Sequence, residues 1–372
     1  MKKAPLLAAV LVAVSFQASA AHFVYVSSPG DGLITQYRFD DQTGALSVVN
    51  KTSVGAQVGP SAITPDGKAL FAAVRAKPFK VVGYQIDPQS GELKAQSEAP
   101  LADSMAYLAT DRSGRWLMAA SYGGDLISLQ AIAADHLLGD KAPQIYKTGL
   151  HAHSVRSDPS NRFVYAGNLG VDQVLQYRLD AQAGTLTPIG QGSIATPSNF
   201  GPRHLAFSPN GKYLYVVGEM AGAVLSYAID AKTGALTQVS SAQGIPERLG
   251  LSAGIIRDSR NNDGKDDPTP RIWAADIRIA PSGTLLFISE RTSSSVSAFK
   301  LDPEDGKVTY LENYSVQEKQ PRNIAFSPDG HWLLVSGEKS DVIGSYAVSP
   351  EGGLKRVGEA PAGVGALWIE VK

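Results

Sequence analysis

The sequence predicts an all-β fold, a seven-bladed β-propeller with four antiparallel strands per blade. Three observations carry this expectation: a hairpin written seven times, a second class of hairpin alternating with it, and apolar-polar alternation without a helical period. The first class reads QYRFDDQTGALSVV, GYQIDPQSGELKAQ, SLQAIAADHLLG, QYRLDAQAGTLTPI, SYAIDAKTGALTQV, AFKLDPEDGKVTYL and SYAVSPEGGLKRVG. These segments begin at Gln36, Gly83, Ser128, Gln176, Ser226, Ala298 and Ser345, spaced 45 to 50 residues apart except for one gap of 72. The second class turns at PDGK, PSNR, PNGK, PSGT and PDGH, where Asp-Gly and Asn-Gly supply the positive backbone angles of tight turns. Two hairpins per period of this length make four strands, the unit of a propeller blade.

In chain order, residues 1–20 (MKKAPLLAAVLVAVSFQASA) combine two lysines, an apolar run and the small-residue ending Ala18-Ser19-Ala20. This reads as a cleaved secretory signal peptide, which places the mature chain in the periplasm. No later segment approaches the roughly 20 apolar residues of a spanning helix, so no membrane insertion is expected. The remainder, 21–372, reads as a single propeller domain. His22 to Val49 supplies three strands of the first blade, and Ala366 to Val371 (ALWIEV) supplies its innermost strand, closing the ring. Such closure removes the unpaired edge of an open array. Six inner hairpins between Pro60 and Glu338 provide the other blades. The long gap is an insertion, 243–271, whose Gly, Asn, Asp and Pro content reads as a surface loop.

The formal charge is -1, with acids and bases interspersed, so no electrostatic footprint for nucleic acid or an anionic membrane exists. A small neutral or weakly charged partner fits better. Cysteine is absent, which excludes disulfides and leaves stability to the core. The oligomeric state is left open by the sequence.

One line is written twice: GPRHLAFSPNGKYLYVVGE, from Gly201 to Glu219, returns as QPRNIAFSPDGHWLLVSGE, from Gln320 to Glu338. Because each turn lies at one rim, the start of the first strand and the end of the second meet at the opposite rim. Arg203 and Glu219 should therefore be neighbours at one mouth of the central channel, as should Arg322 and Glu338. Alignment on the turns adds His153, Asn168, Ala275, Asp276 and Arg291 to that mouth, whereas the first blades offer only Pro60, Ser61, Ala106 and Tyr107. Ionisable groups converging in a concave mouth are the usual pattern of a small-molecule site.

Three other signals are set aside. Gly250-Leu251-Ser252-Ala253-Gly254 matches the nucleophile-elbow pattern but lacks the strand-to-helix turn that motif requires. The run Asn261 to Asp266 resembles a calcium loop, yet Ser259 and Pro270 occupy its two key carboxylate positions. His151 and His153 could bind zinc only with a third ligand; His204 would have to supply it, and its side chain should point away from that of Arg203. No metal and no cofactor are therefore expected.

The chain resembles the seven-bladed propeller lactonases, which include bacterial 6-phosphogluconolactonases and fungal carboxymuconate-lactonising enzymes. The matching segments are SYGG (Ser121 to Gly124), HAHSV (His151 to Val155), NLGVDQV (Asn168 to Val174), GPRH (Gly201 to His204), VVGE (Val216 to Glu219), WAADI (Trp273 to Ile277), ERTSSSV (Glu290 to Val296) and QPRNIAFSPDG (Gln320 to Gly330). The resemblance implies a catalytic group of His153, Arg203, Arg291 and Glu219. Asn168 stands where the family usually has aspartate, and Arg278 where it often has histidine. His153 or Glu219 is expected as general base, with Arg203 and Arg291 holding the carbonyl oxygen. His151, Asn168, Asp276 and Arg322 are the expected substrate contacts; Trp273, Trp368 and Tyr122 are candidates to pack against the sugar ring, with core packing the preferred reading. Export implies an unphosphorylated sugar lactone, D-glucono-1,5-lactone, hydrolysed to gluconate. The alternatives are 6-phosphogluconolactonase or muconate-lactonising chemistry on the same scaffold, or a non-enzymatic propeller that binds a ligand or partner.

Overall fold

Each period of the sequence folds as one antiparallel sheet of four strands, and the sheets are arranged as seven blades around a channel. The structure, a computed structural model, describes residues 22–139, 142–258 and 267–372. The expected signal peptide and the calcium-like run Asn261 to Asp266 lie outside the described residues. Among the described residues, no helix is long and apolar enough to cross a membrane. Blades 2 to 7 span 58–100, 107–147, 152–195, 202–243, 274–315 and 321–361. Blade 1 joins Trp368–Val371 to His22–Ser28, with Val24 opposite Val371 and Ser27 opposite Trp368. The two ends of the chain thus close the ring, as the sequence predicts.

Burial falls off along each blade. In blade 5 the two inner strands, Pro202–Phe207 and Tyr213–Gly218, are buried throughout, whereas the outermost, Leu236–Gln243, is largely exposed. Apolar side chains of adjacent blades interlock: Phe163, Tyr165 and Val174 of blade 4 pack with Leu205, Leu214, Val216 and Leu225 of blade 5. The recurrent Thr-Gly of the outer turn has a packing reason. Gly234 has φ +78, and a Cβ there would lie 2.3 Å from the Phe163 ring of the preceding blade, so only glycine allows that approach. The Tyr165 hydroxyl donates to the Gly234 carbonyl at 2.7 Å, fastening the blades at the same point.

In two places the local pattern did not resolve the structure. The segment SLQAIAADHLLG forms only a bridge between Ile132 and Leu138 after its first strand; the outer strand of blade 3 is Gln144–Lys147. Inner strands of five blades carry a register shift at their entry, at Val58/Ser61, Ala152/Ser154, Pro202/Leu205, Ala274/Ile277 and Pro321/Asn323. A bulge of this kind interrupts strict alternation and re-aims the side chains beside it. These bulges sit where the strands enter the channel, at the mouth that gathers the charged residues.

Candidate functional site

The mouth is built on the ends of inner hairpins. Glu219 follows the second strand of blade 5 and its backbone N–H bonds the Gly201 carbonyl at 2.8 Å, which brings it beside Arg203 as expected. Arg203 Nε donates to Glu219 Oε2 at 2.6 Å, and Arg291 Nη2 from blade 6 donates to the same oxygen at 2.7 Å. Trp273 Nε1 donates to Glu219 Oε1 at 3.2 Å. Burial raises a carboxylate's pKa, but here Arg291, Arg203 and Arg322 outweigh it and hold Glu219 below its ordinary value. Glu219 is therefore ionised, with both oxygens occupied.

The guanidiniums are fixed from behind. Arg203 Nη1 bonds the Ala275 carbonyl, and Arg291 Nε bonds the Trp273 carbonyl at 3.0 Å. Arg203 Nη2 and Arg291 Nη1 make no hydrogen bond among the described residues. Arg203 is lowered to about 9 by burial and by the Arg291 and Arg322 charges, which leaves it cationic at neutral pH.

His153 lies next to this cluster. Its ring is 5.1 Å from that of His204 and 5.7 Å from that of Tyr122, and its Nδ1 is buried without a hydrogen-bond partner. Burial, followed by the charge of Arg203 and its neighbours, lowers its pKa well below 6.5. The imidazole is neutral across the physiological range, in the form that can accept a proton.

Arg322 sits at the same mouth, its Nη1 donating to Glu338 Oε1 at 3.0 Å. His151 is at the rim, outside the strand Ala152–Ser157 that carries His153. It has φ +63, stacks on Tyr122 at 4.1 Å, and bonds the Tyr122 carbonyl through Nδ1 at 3.0 Å. Asn168 holds the preceding turn: its Oδ1 accepts from Gly149 N at 2.9 Å, and its Nδ2 donates to the Gly149 and Leu150 carbonyls. Those bonds make it a support of the His151 segment. Asp276 lies deeper in the channel, where Oδ1 bonds His204 Nδ1 at 2.8 Å and Oδ2 accepts from Arg278 Nε at 3.0 Å and Asn323 Nδ2 at 2.7 Å.

His204 corrects the expectation that it points away from Arg203. The bulge between Pro202 and Leu205 turns both side chains to the channel, where His204 Nε2 lies 3.1 Å from Arg203 Nη1. The result is a chain of contacts running inward: Glu219, Arg203, His204, Asp276, Arg278. His204 has both ring nitrogens engaged, one with Arg203 and one with Asp276, so it does not converge with His151 and His153 on a common point. Burial and Arg203 lower its pKa to about 3. Among the described residues no three His, Cys, Asp or Glu side chains are grouped as metal ligands.

Four contributors go beyond the site residues that the sequence pattern assigned. Trp273, read as core packing, is sandwiched at the mouth between Arg291 at 3.8 Å and Arg257 at 4.0 Å. The described part of the insertion reaches over this rim: the Arg257 carbonyl accepts from the Tyr122 hydroxyl at 3.0 Å, and Asp258 Oδ2 lies 3.4 Å from His151 Nε2. Blade 2, expected to be bland, contributes Arg75. Its Nε donates to Ser104 Oγ at 3.2 Å, and burial and Arg322 lower it to about 10. Arg75 forms no ion pair among the described residues. Ser252 of the G-x-S-x-G match only bridges Arg271 within the insertion.

Comparison with known proteins supports the same architecture. Residues 23–371 match the family described as "Lactonase, 7-bladed beta-propeller". The 6-phosphogluconolactonase of Pectobacterium carotovorum subsp. carotovorum is 35% identical over 354 residues, 94% of this chain and 98% of the relative. That of Erwinia tasmaniensis is 33% identical over 349 residues, again 94% and 98%. Among solved structures, a Pseudomonas aeruginosa periplasmic gluconolactonase superposes with TM-score 0.81 at 24% identity, covering 95% of this chain and 98% of that one; at that identity the likeness concerns the fold.

Proposed function

As this chain belongs to the seven-bladed β-propeller lactonases, lactone hydrolases by homology, we propose that it hydrolyses a sugar lactone at this mouth, with His153 as general base. The observation that carries the reading is the Glu219 clamp. One buried carboxylate orients two guanidiniums, each with an Nη group that makes no hydrogen bond among the described residues, beside a neutral imidazole whose Nδ1 has no partner.

In this mechanism the lactone carbonyl oxygen accepts hydrogen bonds from Arg203 Nη2 and Arg291 Nη1. His153 takes a proton from a water as its oxygen attacks the carbonyl carbon, and the negative charge that forms on the carbonyl oxygen faces the two guanidiniums. As the tetrahedral intermediate collapses, the ring C–O bond breaks and the imidazolium returns its proton to the leaving alkoxide. The product is the open-chain hydroxy acid, which ionises in water. Glu219 is less suited to be the base, because its oxygens are occupied and its pKa is depressed. The low proton affinity of free His153 has a counterpart: charge developing on the substrate favours its protonated form in the transition state, when a base is needed.

The export signal expected from residues 1–20 favours an unphosphorylated substrate, D-glucono-1,5-lactone, in the periplasm. A second reading, 6-phosphogluconolactone, is favoured by one feature: among the described residues Arg203 and Arg291 share Glu219, Arg322 pairs with Glu338 and Arg75 has no ion pair, while Asp276, which also acts on Arg203, is paired with Arg278, an excess of cations suited to a phosphate. Both are tested by following acid release by pH-stat with each fresh lactone, spontaneous hydrolysis subtracted, using mature protein from Ala21. An excess rate that disappears in Arg203→Ala supports the site, and the preferred lactone identifies the substrate. Equal rates with and without folded enzyme on both lactones would overturn the proposal.

A further inference from the structure

The channel has a second mouth, at the rim where the inner-hairpin turns lie, and the chemistry there is unlike that of its surroundings. Rings close the channel between the two ends. Tyr107 meets His204 at 4.9 Å and Trp368 at 5.2 Å, and His204 meets Trp368 at 5.9 Å. Beyond this plug lie two adjoining cavities, of about 380 and 170 Å³, that share Arg112, Arg156 and Arg278 in their walls. The three arginines come from blades 3, 4 and 6, so no local segment of sequence brings them together.

Their charges are incompletely matched. Arg278 is paired with Asp276 at 3.0 Å. Arg156 spends Nη1 on the Leu205 carbonyl at 3.1 Å, and neither it nor Arg112 makes an ion pair among the described residues. Glu370, a carboxylate in the wall, accepts from Trp368 Nε1 at 2.8 Å and is raised to about 7 by desolvation despite the nearby Arg278 and Arg156. The mouth therefore holds two guanidiniums that make no ion pair among the described residues, with Asp158 and Glu370 acting on Arg112 and Arg156 only from farther away. Guanidiniums match the oxygens of phosphate in geometry as well as charge, and two of them balance a dianion. The larger cavity is within the range of about 300–1,000 Å³ typical of small-molecule sites.

We propose that this second mouth binds a phosphate dianion, inorganic or carried by a small phosphomonoester, held by Arg112 and Arg156 with Arg278 alongside. The site is separated from the lactone mouth by the aromatic plug. It does not depend on which lactone is hydrolysed.

The test is calorimetric titration of the mature protein with inorganic phosphate and, separately, with glucose 6-phosphate. Three proteins are compared: wild type, Arg112→Gln/Arg156→Gln, and Arg75→Gln/Arg322→Gln, which alters only the other arginine-rich mouth. Wild type should bind, and loss of the Arg112 and Arg156 charges should weaken binding by about tenfold or more, equivalent to at least one charge-assisted contact. Arg75→Gln/Arg322→Gln should retain the binding event assigned to the second mouth. Lactone hydrolysis by Arg112→Gln/Arg156→Gln should stay within about twofold of wild type, which also verifies its fold. Tighter binding of the ester identifies a phosphomonoester site and equal binding an inorganic one. Absence of binding to wild type, undiminished binding to Arg112→Gln/Arg156→Gln, or loss of all binding in Arg75→Gln/Arg322→Gln would overturn the proposal.

Discussion

Glu219→Gln removes the charge on which two buried guanidiniums converge while leaving the side chain nearly the same size. Arg203 and Arg291 both donate to Oε2, at 2.6 and 2.7 Å. A glutamine can present one oxygen to them, but its amide also brings two donors into a region already crowded with donors. Both guanidiniums are almost wholly buried, at 0% and 2% exposure, so they cannot turn to water. Stranding one partner of a buried pair costs about 3–5 kcal/mol, and this variant should lose stability of that order in urea unfolding. The same charge sets the donor geometry, so kcat should fall by about 10²–10³, the effect of losing one preorganised oxyanion donor. The double variant Glu219→Gln/Arg291→Met provides the internal check. Removing one stranded charge should restore about 1 kcal/mol or more of the lost stability without restoring activity, a coupling expected between contacting residues. A Glu219→Gln protein as stable as wild type, or a double variant less stable than the single one, would refute the argument that the clamp is a charge-compensated unit.

Four further outcomes follow from the same geometry. His153→Asn should lower kcat by about 10²–10⁴; because His153 is held well below 6.5, the wild-type kcat/KM profile should show no acid limb at pH 6.5, and a limb there would count against His153 as the neutral base. His153 and His204 are both depressed, so below pH 6.5 the unfolded chain binds protons that the folded one does not. Each histidine should accordingly remove stability as pH falls, by about 1.4 kcal/mol per pH unit, opposed by Glu370, which is raised to about 7 and so takes up its proton first in the folded state; His204→Gln should shift the slope of the urea midpoint against pH over the range 6 to 4.5 by that one-proton amount, and an unchanged slope would exclude His204 as a source. Arg75→Gln should raise KM for 6-phosphogluconolactone by about tenfold and leave kinetics on glucono-1,5-lactone unchanged if the excess charge reads a phosphate. Finally, a Cβ at Gly254 would sit 2.6 Å from the Ile272 carbonyl and 2.7 Å from Met220 Cα, so Gly254→Ala should displace this arm of the insertion and raise KM, with thermal unfolding showing whether the propeller itself is intact.

The ring was readable from the chain because propeller blades are local: each hairpin pairs with its sequence neighbour, so alternation and turns such as PNGK report the strands directly. The same locality placed Arg203 opposite Glu219 and Arg322 opposite Glu338, since a hairpin and its turn fix which strand ends meet. It failed where the strand departs from strict alternation. His204 was expected on the face away from Arg203, and the bulge at Pro202/Leu205 brings both to the channel.

The sequence by itself therefore determined the seven blades, the closure through Trp368–Val371 and the mouth at which the charged residues gather. Tertiary structure alone decided that Arg75 and Tyr122 reach that mouth from blades without an obvious polar signal, and that Trp273 lies between Arg257 and Arg291. It also decided that Arg112, Arg156 and Arg278 share the opposite end. The reason is that contacts between blades depend on how seven sheets pack around an axis. Each blade's own hairpin pattern is satisfied whichever side chain its neighbour presents, so nothing in the local sequence records the encounter.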